Sequence, residues 1–147
     1  MQDLWNFAVQ LYARPGVESA CLQLQDAGCD VCLLLTGAWL EQRGVPCRDD
    51  YLHALRDLAQ PWQQNVVMPL RQTRQQWRAA ASQDAELAPL REQLKRLEQE
   101  AERLLLKRLE ALTRDWPSEN AGSDWLQPLG GNDSAALQVL RGAIAAR

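Results

Sequence analysis

Leu4, Phe7, Ala8 and Leu11 recur at the i, i+3, i+4, i+7 spacing of a single buried helix face, and Asp3 stands where a cap belongs. Pro15-Gly16 breaks that helix. From Val17 a second apolar series runs through Cys21, Leu24, Gly28, Val31, Leu35 and Ala38. Its steps alternate four and three, a heptad-like seam. Glycine costs about 1 kcal/mol in a helix interior, so the seam is expected to break or kink at Gly28. Gly44-Val45-Pro46 closes this unit.

Asp49 or Asp50 is the expected cap of the next helix, with Leu52, Leu55, Ala59 and Trp62 on its inner face. Pro61 and Pro69 each remove a helical hydrogen bond, so the segment should kink or restart twice. The stripe continues through Val66, Leu70, Thr73 and Trp77. Ser82 or Asp84 then begins a long helix over residues 86–115. Leu87, Leu90, Leu94, Leu97, Ala101 and Leu104 form its seam, which shifts by one position to Leu105, Leu109 and Leu112. At about 1.5 Å per residue it runs some 45 Å, so part of it should project or meet another chain. Trp116-Pro117 ends it. Residues 117–133 read as a loop with a Trp125-Leu126 anchor, and a helix from about Ser134 carries Leu137, Leu140 and Ile144.

The pattern predicts an all-α fold, an irregular bundle of about five to seven helices with one long helix. A single domain over 1–147 is expected, with packed helices over 1–82, the long helix over 84–116, and a loop and helix over 117–147. Composition agrees: 46% of residues are hydrophobic and 24% charged, with one Phe and two Tyr among many Leu, Ala, Gln, Glu and Arg. The net charge of −3 is spread along the chain, which argues against nucleic-acid binding. The N-terminus lacks the basic and apolar regions of a signal peptide. The longest apolar run, Val31 to Leu35, is far too short to span a membrane. A cytoplasmic chain with four reduced cysteines is expected.

Candidate chemistry is incomplete. Cys29, Cys32, Cys47 and His53 have the spacing of a Cys3His zinc set. Cys32, however, leads into a Leu-rich helix rather than a tight turn, and Cys21 and Cys32 read as small core residues, so no metal is expected. Asp26 and Asp30 form a DxxxD pair like those that hold magnesium and diphosphate, but no second copy occurs. The plainer reading has Asp26 ending one helix and Asp30 capping the next. Arg71, Arg74 and Arg78 line one side of a helix and could grip an anion. Of six Trp, Trp39, Trp62 and Trp77 fall on inner faces, whereas Trp5, Trp116 and Trp125 lie where an indole can anchor a partner. No phosphate loop, Ser-His-Asp set or HExxH is present.

The N-terminal block Leu4-Trp5-x-Phe7-Ala8, Leu11-Tyr12, Pro15-Gly16-Val17-Glu18, Ala20-Cys21-Leu22, Leu24-Gln25-Asp26, Asp30-Val31, Leu33-Leu34-Leu35 and Trp39-Leu40 resembles a small bacterial family of uncharacterised helical proteins. A weaker echo continues in Trp62, Val66 and Pro69-Leu70-Arg71. The resemblance implies no reaction. It departs at Cys32, where that family has Asn, and this counts further against a metal site.

The expectation is a non-enzymatic adaptor without a cofactor. It would bind a protein partner or itself through Leu94 and Leu97 on the heptad face and through Trp5, Trp116 and Trp125. The alternative is a small-ligand or metal-binding protein using Asp26, Asp30, Arg71, Arg74 and Arg78.

Overall fold

The computed structural model describes residues 2–119, 124–131 and 134–145, and among these every regular element is helical. Helix α1 (Leu4–Tyr12) starts where the Asp3 carboxylate accepts the Asn6 amide at 2.8 Å, and it buries Leu4, Phe7, Ala8 and Leu11. Gly16, at φ 81°, turns the chain into α2 (Val17–Asp26). Gly28, at φ 95°, then breaks the seam as expected, since only glycine enters that region without strain.

Helix α3 (Val31–Gln42) is the hub. Every residue from Cys32 to Leu40 is buried, and the helix meets α1, α2 and three later elements. A helix apolar all round belongs inside a fold. Its one buried hydroxyl, on Thr36, donates back to the Cys32 carbonyl at 2.8 Å.

Helix α4 (Asp49–Trp62) begins one residue earlier than a carboxylate cap requires: Arg48 holds the cap position, and Asp49 and Asp50 occupy the first turn. There their charge still complements the positive end of the helix. Pro61 does not end the path. The hydrogen-bond ladder loosens into a π-helical turn over Gln63–Val67 and resumes as α5 (Met68–Gln76), with Pro69 in its first turn where an amide is dispensable. A four-residue α6 (Arg78–Ala81) precedes the long helix α7 (Leu87–Thr113).

The long helix departs from the expected seam. Its buried residues are Glu98, Ala101, Leu105, Leu106, Leu109 and Thr113, while Leu90, Leu97, Leu104 and Leu112 are exposed. The core takes Ala101 from the row before the phase shift and Leu105 and Leu109 from the row after it, leaving Leu112 out, and α7 packs on α1 and α3. After Trp116 the chain crosses to α8 (Leu126–Gly130) and α9 (Ala135–Ala145), and α9 packs back on α2. Of the loop expected over 117–133, positions 120–123 and 132–133 lie outside the described residues.

Gly37 lets α8 sit directly on α3. A Cβ there would stand 2.7 Å from Leu129 Cδ1 and 3.1 Å from Trp125 Cβ. Among the described residues no helix is long and apolar enough to cross a membrane.

Candidate functional site

Five ionisable side chains meet where the start of α3 faces α5 and α7. Arg71 and Arg74, one turn apart on α5, both reach Glu98 on α7, at 3.2 Å and 2.5 Å. Glu98 is only 5% exposed. A carboxylate buried this deeply is held in place by two guanidiniums, since one charge alone would be costly in that environment. Asp30 caps α3, accepting the Leu33 amide at 3.2 Å and the Gln63 side-chain amide at 3.0 Å. Burial raises its pKa, against hydrogen bonds from Leu33, Cys32 and Gln63 and the charge of Arg71.

Glu102 is the fifth member. One turn beyond Glu98, it accepts no hydrogen bond among the described residues. Burial pushes its pKa from 4.5 to about 7; Glu98 and Asp30 add to the rise, and Arg71 and Arg74 oppose it.

The cluster separates two cavities. One, of about 840 Å³, lies between the α2–α3 corner, the π-helical turn and α8, with Asp30, Arg56, Arg71, Gln60 and Gln63 on its walls. The other, of about 590 Å³, lies between α1, α2, α3 and α7, and Glu102 opens onto it.

The residues singled out in the sequence are thus partly brought together. Asp30, Arg71 and Arg74 share the cluster. Asp26, exposed at the last turn of α2, and Arg78, exposed on α6, stand outside it, so neither the DxxxD pair nor the arginine row acts as a unit. Cys21 and Cys32 are buried in the core, Cys29 donates to the Gly130 carbonyl at 3.3 Å, and His53 is exposed. No group of three or more His, Cys, Asp or Glu among the described residues is placed to hold a metal ion.

The aromatic expectations need correction at Trp125, Trp62 and Trp77. Trp125 is fully buried and its indole donates to the Val45 carbonyl at 2.8 Å, so it is part of the core and not an exposed anchor. Trp116 is half-buried, stacked on Tyr51. Trp5 is half-buried with the Arg103 guanidinium 4.7 Å from its ring centre. On α7, Leu94 is half-buried and Leu97 is exposed. Trp39 is buried as expected, while Trp62 and Trp77 are only half-buried.

Sequence reading missed Glu98 and Glu102. They stand at i and i+4 in the row that continues through Leu105 and Leu109. An acidic pair in register with a buried leucine row was the available signal.

Fold and cluster define an all-helical protein that closes its core partly with ions and leaves a leucine stripe outside. The chain belongs to the family described as "Protein of unknown function (DUF2390)", whose model matches residues 3–109, a span that takes in all five residues of the cluster. No curated protein and no solved structure matches it.

Proposed function

We propose that this chain is a non-enzymatic, cytoplasmic partner-binding protein, and that the partner it is built to meet first is a second copy of itself. The observation that carries this reading is the outer face of α7. Leu90, Leu97 and Leu104 repeat every seven residues and are 49%, 55% and 44% exposed. Such a repeat is the seam of a helix pair.

The flanking row favours a copy of the same chain. Glu86, Gln93, Glu100, Lys107 and Arg114 follow the stripe at seven-residue intervals, acidic towards the start of α7 and basic towards its end. Antiparallel pairing brings the acidic end of one helix to the basic end of the other, whereas parallel pairing sets like against like. A two-fold pair of this kind closes on itself. The four free thiols support a reducing compartment.

Sedimentation of the full chain tests the reading. A dimer is expected, and the double variant Leu97→Asp/Leu104→Asp should sediment as a monomer with unchanged helicity. A wild-type chain that stays monomeric at high micromolar concentration would overturn the self-pairing.

A further inference from the structure

The groove of about 590 Å³ between α1, α2, α3 and α7 has a one-sided chemistry. Its walls carry the rings of Trp5 and Tyr12 with Val9, Val31 and Leu35, all aromatic or aliphatic surface. Its charged lining groups are Glu18, Glu100 and Glu102, and no Lys or Arg lines it. Arg103, over the Trp5 ring, is the neighbouring cation on α7.

Charge matching behind the groove leaves one group over. Asp30, Glu98 and Glu102 face two guanidiniums, those of Arg71 and Arg74. Both guanidiniums close on Glu98, and Asp30 is held by Gln63 and the start of α3. Glu102 is left without a hydrogen bond among the described residues and opens onto the apolar groove. A carboxylate in such a place is completed by a cation that arrives with its own apolar body, because the body fills the walls while the charge meets the carboxylate.

We infer that this groove binds a small lipophilic ammonium, a primary amine on an aryl or alkyl body, with Glu102 as its counter-ion. Tyr12 supplies a ring that also favours a cation, while one face of Trp5 already holds Arg103. Glu18 and Glu100 add negative potential. Tyr12, whose hydroxyl burial ahead of Cys21, Glu18 and Glu102 pushes up to about 12, stays protonated and neutral. Cys21 and Cys32 in the same walls are held as thiols by burial.

The test is calorimetric titration of the full chain with 2-phenylethylamine, beside the neutral 2-phenylethanol and the anionic 3-phenylpropionate. The amine should bind and the other two should not. Only ionised Glu102 pairs with it, so with that carboxyl near 7 in the free protein the affinity should be about tenfold higher at pH 8 than at pH 6. Glu102→Gln, a neutral isostere, should lower affinity at least tenfold while the fold persists. Val9→Arg on the exposed turn of α1 offers an internal cation to the groove and should block the amine. Equal binding of amine and alcohol, a flat pH profile, retained affinity in Glu102→Gln, or no binding at millimolar amine would each overturn the assignment.

Discussion

Arg74 closes on Glu98 across the interface between α5 and α7, with Nε 2.5 Å from Oε1, and Arg71 shares the same carboxylate. The pair ties the kinked helical path to the long helix at a place where few apolar side chains do so. Removing the carboxylate takes away the group that both partly buried guanidiniums hydrogen-bond, Asp30 and Glu102 acting on them only at longer range. Glu98→Ala is therefore expected to lose about 3–5 kcal/mol in urea unfolding. A loss below about 1 kcal/mol would show that water replaces the carboxylate.

Trp116 gives a second check. Its ring lies 3.9 Å from that of Tyr51 at 9°, and both stack towards Trp125. Trp125→Ala should cost about 3–5 kcal/mol, the range for a fully buried aromatic. Trp116→Ala should cost less, about 2 kcal/mol, since part of its surface is already wet. Equal losses in thermal unfolding would place Trp116 in the core after all.

The α3–α8 contact predicts a third outcome. Gly37→Ala introduces a Cβ at 2.7 Å from Leu129 Cδ1. Leu129 can turn away but Trp125 Cβ, at 3.1 Å, cannot, so α8 must shift. A loss of about 1–3 kcal/mol is expected, with faster amide exchange in Leu126–Gly130. Unchanged exchange there would mean that the two helices separate without cost.

Much of this was legible in the sequence, for local reasons. Asp3 and Asp30 announce helix starts because a short carboxylate reaches an amide three residues on. Gly16 and Gly28 mark left-handed turns. What could not be read is which of two rows of α7 turns inward. Leu90, Leu97 and Leu104 make as good a stripe as Leu105 and Leu109, and the choice depends on where α1 and α3 lie, which is tertiary information. The same holds for the ions. Arg71 and Arg74 were visible as a row, but their partner lies 27 and 24 residues away on another helix. Trp125, alone between loop residues, carries no periodicity to show that it is core.

Glu102 makes the last prediction, on stability. In the folded chain its carboxyl sits near 7 rather than 4.5, chiefly through burial. Between those values the folded protein holds a proton that the unfolded chain has released. Stability from this group is thus complete at low pH, falls as pH rises through that window, and is flat above it. The neutral Glu102→Gln chain lacks the loss. It should match the native chain near pH 4.5 and exceed it at pH 8 by on the order of 3 kcal/mol, the free energy of moving a carboxyl from 4.5 to about 7. Glu41 and Asp124 titrate alike in both chains, so the difference between the two urea midpoints reports Glu102 together with its coupling to Asp30. A difference that stays constant from pH 4.5 to pH 8 would mean that the carboxyl is hydrated in the folded protein and titrates as it does in the unfolded chain.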